Sequence, residues 1–486
     1  MNQPLRSLLG LLAATPCLAA TTPNVVIIYA DDIGFGDLSC YGHGKVPTPN
    51  VDKLAQSGMR FTNAHCAAST STPSRYSMLT GEYAWRREGT GIAQGDAALI
   101  IPTEKFTIAD MFKAAGYRTA VVGKWHLGLG AEQGKQDWNK RIKPNPADIG
   151  FDYSFIMAAT GDRTPCIYIE NGLGVGLDPA DPIFVSYTKN FPNEPTGKDN
   201  PELLTLHPSV GHNQAIVHGV PRIGFMTGGK KARWHDGDIA DVLSEKACAF
   251  IEAQKGNAQP FFLYLGTNDI HVPRVPHKRF VGKSGLGARG DALLSYDWTV
   301  GQVVKKLEEL GMADNTITII IISSDNGPVL DDGYKDQAVE LLGDHKPSGD
   351  FRGGKYSNFE GGTRVPCILN WAGKVPAGTS NALMSQIDWF ASFASMLNVK
   401  IPAGAAMDSQ DHLSTWLGKD QAGRDELVKN GFAISVGDWK YIAPSRGLGE
   451  LLFNIAKDPS ETKNLAPEEP EKLQEMRAAF KAANAS

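Results

Sequence analysis

Four short runs of consecutive apolar residues punctuate the chain, and each breaks off into polar residues. Residues 25–30 run into Asp31 and Asp32. Residues 119–122 run into Gly123, Lys124, Trp125 and His126. Residues 261–265 lead to Asn268, Asp269, Ile270 and His271, and residues 316–322 to Ser323, Ser324, Asp325 and Asn326. Apolar runs of this length without alternation predict strands buried on both faces, as in a mainly parallel sheet. Helical spacing fills the intervals. Asn50 is expected to cap a helix opening at Val51. Residues 106–115 are amphipathic and stop at Gly116. Ile239, Val242, Leu243, Ala247, Phe250 and Ile251 share one helix face. So do Tyr296, Val300, Val303, Val304, Leu307 and Leu310, before Gly311. The alternation predicts a doubly wound α/β fold, with ligands beyond the carboxyl ends of the strands. The Asp, Lys and His residues gather at those ends.

Residues 128–235 are rich in Gly, Pro, Asp and Asn and too long for an ordinary connection, so a functional rim is expected there. After Trp371 the pattern changes. Residues 434–442 and 450–453 read as antiparallel strands and 468–483 as a charged helix. The expected division is a catalytic unit over 20–374 and a smaller α+β unit over 375–486. Residues 1–19 combine Arg6, an apolar run over 8–14 and small residues at Cys17 and Ala19. That is a secretory signal pattern, too short to span a membrane. Export is expected, to the periplasm ahead of the extracellular space or a lipid anchor on Cys17, which Pro16 disfavours.

With 486 residues, 42% hydrophobic and 21% charged, the chain can bury a large core and is not a disordered protein. A net charge of -5 argues against nucleic acid or a polybasic membrane surface as partner. The cysteines at 17, 40, 66, 166, 248 and 367 include no CxxC pair, so a zinc ribbon is excluded. One or two disulfides stay open, with unfixed pairing.

The candidate chemistry centres on Ser71-Thr-Pro-Ser-Arg75. Pro73 suits a first helical position, which would set Ser71 just before a helix N-terminus. Backbone N–H groups there favour anions, and Arg75 adds a cation one turn on. A nucleophile at such a place suits a sulfate or phosphate ester. By itself a Ser-rich turn is more often a simple cap. Asp31, Asp32, Asp325 and Asn326 offer hard oxygen donors from two strand ends and would repel one another without a cation. Such a set favours Ca²⁺ over Mg²⁺ and Zn²⁺. Asp31-Asp32 alone also fits a strand-ending turn.

Ser71-x-Pro-Ser-Arg75 followed by Leu79-Thr-Gly81 resembles the sulfatase family signature in its serine form. Further resemblances follow at residues 23–32, at Gly123-Lys-Trp-His-Leu-Gly128, at Ser324-Asp-Asn-Gly327, at Gly353-Gly-Lys355 with residues 360–366, and at Phe453-Asn454 with residues 458–465. The resemblance implies a large alkaline-phosphatase-like domain with a mainly parallel sheet between helices, and a smaller C-terminal domain with an antiparallel sheet. It implies oxidation of Ser71 to formylglycine (3-oxoalanine) by an oxygen-sensitive radical maturase before export. One hydroxyl of the hydrated aldehyde then attacks sulfur and releases an alcohol. The other loses its proton as sulfate is expelled. The implied metal ligands are Asp31, Asp32, Ser71, Asp325 and Asn326, with Asp325 also aiding deprotonation of the attacking hydroxyl. Arg75 and Lys124 would hold the aldehyde hydrate, His126 accept the second proton, His271 protonate the leaving oxygen and Lys355 grip sulfate. His277 competes with His271 for that role.

Residues 161–171, 195–203 and 228–238 resemble bacterial sulfatases that act on galactose-type sugars. Asp162, Arg163, His212, Arg233 and Trp234 are polar or aromatic candidates for gripping a sugar, and each equally fits a role in loop structure. The implied substrate is a terminal galactose or N-acetylgalactosamine 6-sulfate, with 4-sulfate next, from mucin or glycosaminoglycan fragments. Two rivals stand beside this reading. A phosphatase or phosphodiesterase of the same scaffold would use unmodified Ser71, but Asn326 is a poor second-metal ligand. A non-catalytic sulfated-glycan binder would follow if Ser71 were never oxidised.

Overall fold

The computed structural model describes residues 22–313, 317–445 and 447–485. The expected export signal over 1–19, with Cys17, lies outside them. Ten strands form the large sheet: β1 (Asn24–Ala30), β2 (Met59–Phe61), β3 (Arg118–Lys124), β4 (Tyr153–Met157), β5 (Tyr168–Glu170), β6 (Leu173–Gly174), β7 (Phe261–Gly266), β8 (Thr318–Ser324), β9 (Cys367–Trp371) and β10 (Gly378–Ser380). Their order is β10-β2-β9-β8-β1-β7-β3-β4-β5-β6. The four apolar runs are the neighbours β8, β1, β7 and β3, all parallel. Their side chains are buried almost throughout, as a sheet covered on both faces requires. Antiparallel pairing enters only toward the edges, through β9, β2, β5 and β6.

Register sets the site. Ala30 pairs with Ser324, Tyr29 with Gly266 and Gly266 with Gly123. Asp31, Lys124 and Asp325 therefore leave the sheet at one level. Gly123 has φ 102°, and a Cβ there would lie 1.9 Å from the Gly266 carbonyl oxygen. Only glycine lets the two strands close at that point.

The helices α1 (Pro49–Ser57), α4 (Ile239–Ala253) and α5 (Gly287–Glu309) pack as one set, and α2 (Ser71–Thr80), α3 (Ile108–Ala114) and α6 (Trp389–Leu397) as another. These are the two outer layers. Helix α1 opens at Pro49 rather than Val51. Asn50 is no cap; its side-chain amide donates to Asp297 on α5 at 2.7 Å. Thr107 and Asp110 close a capping box on α3, which leaves Phe106 outside the helix. Helix α5 starts earlier than its apolar spacing indicates, because its first turns bury Arg289 and Asp291.

A separate antiparallel meander follows: β11 (Glu426–Lys429), β12 (Ala433–Val436), β13 (Trp439–Ile442) and β14 (Leu451–Asn454), covered by α7 (Pro470–Ala485). The division expected at 375 falls inside the large unit's packing. Strand β10 pairs with β2, and Trp389, Phe390, Phe393 and Trp416 join the large core. Cys40, Cys66, Cys166, Cys248 and Cys367 are all free thiols, so the described residues contain no disulfide. Among the described residues no helix is long and apolar enough to cross a membrane.

Candidate active site

Ser71 is the first residue of α2, with Thr70 at the N-cap. This corrects its expected place before the helix. Pro73 sits at the third helical position, where the backbone N–H has no intrahelical partner in any helix. The Ser71 hydroxyl faces three groups: Lys124 Nζ donates to it at 2.7 Å, Asp31 Oδ1 is 3.5 Å away and Asn326 Oδ1 3.4 Å away.

The charges beneath it are fully buried. Lys124 also donates to Asp31 at 2.5 Å and to Asp325 at 3.4 Å. Arg75 does not reach Ser71. Its guanidinium grips Asp325 through Nε at 3.1 Å and Nη2 at 2.8 Å, and Nη1 donates to the Tyr264 hydroxyl at 2.7 Å. Burial raises the Asp325 carboxyl, but Lys124 and Arg75 outweigh it and hold it below the usual range. Burial and the Asp325 charge push Asp31 well up against the pull of Lys124. Asn326 Nδ2 donates to Asp32 at 2.7 Å.

The two histidines are poised differently. His126 Nε2 lies 3.0 Å from the Ala93 carbonyl. A carbonyl only accepts, so Nε2 carries the proton and Nδ1 the lone pair. That Nδ1 is buried with no partner among the described residues. Burial and Lys124 pull the imidazole well below its usual pKa, so it is a neutral proton acceptor. His271 donates from Nδ1 to the Val272 carbonyl at 2.7 Å, which leaves Nε2 3.9 Å from Asp32 and 4.0 Å from Asp332. Lys355 Nζ bridges Asp32 at 3.0 Å and Asp332 at 2.8 Å. Burial lowers its pKa, but the two carboxylates outweigh that and raise it well above the ordinary value.

Ser71, His126, His271 and Lys355 line one narrow pocket together with Asp162, Arg163 and His212. Asp162 is buried, accepting from His212 Nε2 at 2.9 Å, from Arg163 at 2.9 Å and from Thr160. Burial raises its carboxyl, but Arg163 and His212 hold it well below the usual range. Arg233 and Trp234 are elsewhere. Arg233 donates to the Gly228 carbonyl at 2.8 and 3.1 Å, bracing its own loop. Trp234 is buried against Tyr168, with ring centroids 5.6 Å apart.

The pocket also contains residues that the sequence reading left out: Thr70, Ile92, Asp332 and Tyr356. Tyr356 donates to Asp332 at 2.8 Å. Thr70 and Tyr356 adjoin Ser71 and Lys355, and Asp332 lies on the loop that leaves Asn326, whereas Ile92 carries no local signal.

Asp31, Asp32 and His271 place potential ligand atoms within 4.8 Å of one another, and Asp325 Oδ1 lies beside them, accepting from Asp32 N at 3.3 Å. Three buried carboxylates fit a hard divalent cation.

Comparison with known proteins agrees with this geometry. The Sulfatase family model matches residues 23–399. An N-acetylgalactosamine-6-O-sulfatase of Bacteroides thetaiotaomicron is 54% identical over 93% of this chain and 91% of its own. Human arylsulfatase A is 29% identical over 97% of this chain and 89% of its own. A solved sulfatase structure from work on the metabolism of multiple glycosaminoglycans by B. thetaiotaomicron superposes with a TM-score of 0.94 at 51% identity, covering 96% of this chain and 100% of that one. A family match spanning most of the chain, with a relative 54% identical over 93% of it, makes this protein a member of the sulfatase family and an enzyme.

Proposed function

We propose that the chain is an exported, exo-acting carbohydrate sulfatase that removes the 6-O-sulfate of terminal N-acetylgalactosamine or galactose, with 4-sulfate the next preference. The observation that carries this is the 54% identity, over 93% of the chain, to an N-acetylgalactosamine-6-O-sulfatase. The narrow pocket supports end-on entry of one sulfated sugar, with Asp162, Arg163 and His212 as hydroxyl and amide partners on its wall.

Residue 71 works as formylglycine, whose hydrated aldehyde supplies a nucleophile that can release sulfate afterwards without water attacking sulfur. Asp31, Asp32, Asp325, Asn326 and residue 71 would hold Ca²⁺, which would supply positive charge to a bound sulfate. Lys124 orients the residue 71 hydroxyl, and Arg75 fixes Asp325. His126 Nδ1 takes a proton from residue 71. Lys355 binds a sulfate oxygen. His271 Nε2, left bare because burial and Lys355 hold the imidazole well below its usual pKa, takes a proton from solvent when the anionic sulfate ester enters and passes it to the leaving sugar oxygen.

Two measurements test the reading. The mass of the tryptic peptide 61–75, from cells carrying the radical maturase, should be two hydrogens below the unmodified value. Unmodified Ser71 there would move the protein toward phosphoester hydrolysis or binding alone. A screen of defined sulfated monosaccharides should give the highest kcat/KM on N-acetylgalactosamine or galactose 6-sulfate. Turnover confined to aryl sulfates or N-sulfoglucosamine would overturn the substrate assignment.

A further inference from the structure

Lys429, Asn430, Gly431 and Phe432 form the tight turn between β11 and β12. Phe432 N donates to the Lys429 carbonyl at 3.1 Å, and Asn430 and Gly431 have φ of 57° and 71°. Asn-Gly is the preferred pair for such a turn, which accounts for the backbone. It does not account for the side chain. Asn430 Oδ1 accepts from Ser69 N at 2.5 Å. Its Nδ2 faces Ser69 Oγ at 2.7 Å, Asn358 Oδ1 at 2.9 Å and the Ser357 carbonyl at 3.2 Å. Its backbone N donates to the Ala67 carbonyl at 3.0 Å.

These partners belong to two catalytic segments far apart in sequence. Ser69 is two residues before Ser71, and Ser357 and Asn358 follow Lys355. The segments touch directly through Tyr356 N, which donates to the Ser69 carbonyl at 3.0 Å. Beside the turn, Lys429 Nζ donates to buried Glu360 at 2.7 Å. Lys440 on β13 also pairs with Glu360 at 3.0 Å and with Glu461 at 2.8 Å. The hairpin tip of the small unit is thus seated by buried ion pairs and presents one amide to both segments.

We propose that Asn430 is a positioning residue for sulfate ester hydrolysis, setting the spacing between residue 71 and Lys355 from the small C-terminal unit. The inference rests on the roles given above to residue 71 and Lys355, and is independent of which sugar is bound.

Asn430→Gly tests it, because glycine keeps the turn while deleting all four side-chain contacts. Asn430→Asp keeps the acceptor for Ser69 N and loses the donors. With the oxidised fraction of residue 71 matched by peptide mass, Asn430→Gly is expected to lower kcat by about 10- to 100-fold, the scale of an ångström-level misplacement. Asn430→Asp should fall between it and wild type. Both kcat and KM are read on the best sugar sulfate and on 4-nitrophenyl sulfate. Hydrogen exchange over 66–72 and 355–359 should quicken in Asn430→Gly. An unchanged kcat in a matched sample would overturn the proposal, whatever happens to Tm. If wild type turned over no sulfate ester, the proposed function would fail by itself. Unchanged exchange in both segments would then overturn the positioning role separately.

Discussion

Lys124 Nζ stands 2.7 Å from the Ser71 hydroxyl and 2.5 Å from Asp31, with no solvent exposure. Burial pulls this ammonium below its usual pKa, against the opposing pull of Asp31 and Asp325. Under the proposed function it is the cation that orients the residue 71 nucleophile. Lys124→Met keeps much of the side-chain volume and removes the donor. The expected loss is about 10²- to 10³-fold in kcat, the scale of deleting one preorganised donor. Steady-state kinetics on samples matched for residue 71 oxidation check this. A loss under 10-fold would assign orientation to the other groups.

Arg163 and His212 face the pocket, whereas Arg233 and Trp234 do not. His212→Ala and Arg163→Ala should raise KM for the sugar sulfate by roughly 10-fold or more, the value of one or two charge-assisted hydrogen bonds. Turnover of a small aryl sulfate should change less. Trp234→Ala should instead cost about 3–5 kcal/mol of stability as a buried cavity, visible as a lower Tm. Its KM should stay near wild type in whatever fraction remains folded.

Asp37 gives the fold an acid limit. Arg289 contacts both its carboxylate oxygens at 2.7 and 2.8 Å, and His345 Nε2 lies 2.8 Å from Oδ1. Burial raises its pKa, but Arg289 and His345 outweigh that and bring it to about 2. The folded value lies below the unfolded value of about 4. The stabilisation is therefore complete above pH 4 and is lost as pH falls toward 2, amounting to about 2 kcal/mol. Urea unfolding at pH 7, 4 and 3 should show wild type losing stability more steeply below pH 4 than Asp37→Asn. The variant should also start about 3–5 kcal/mol lower, because Arg289 is left buried and unpaired. Parallel pH profiles would show that Asp37 titrates normally.

The central sheet was legible because burial on both faces leaves unbroken apolar runs, and β8, β1, β7 and β3 each carry one. The outermost strands on each side, β10 and β2, β5 and β6, span two or three residues, too short for any period to register. The strand-end residues Asp31, Lys124 and Asp325 were legible because register, fixed by those runs, brings their ends together. The pocket wall was not. Arg233 and Trp234 look like sugar-binding residues by type, but one satisfies its own loop carbonyl and the other packs on Tyr168. Asp332 reads locally as a turn residue, and Asn430 as half of an Asn-Gly turn. What each does depends on a loop that arrives from elsewhere in the chain, and local pattern carries no record of that.

Metal removal is the most direct test of the carboxylate cluster. Asp31, Asp32 and Asp325 are completely buried, against three nearby cations, Arg75, Lys124 and Lys355. Arg75 and Lys355 are also engaged by Tyr264 and Asp332, so a hard cation still lowers the repulsion between Asp31 and Asp325. Chelation should abolish turnover and lower Tm, and Ca²⁺ should restore both more fully than equimolar Mg²⁺, whose strict octahedral geometry suits a loose oxygen cage less well. At about 100 times its Kd the ion contributes about 2.7 kcal/mol. Asn326→Ala should weaken the ion's effect on Tm, a readout that does not depend on oxidation of residue 71. Metal analysis should find one ion per chain. Two transition-metal ions per chain, with Tm indifferent to Ca²⁺, would replace this account with a two-metal phosphoesterase site.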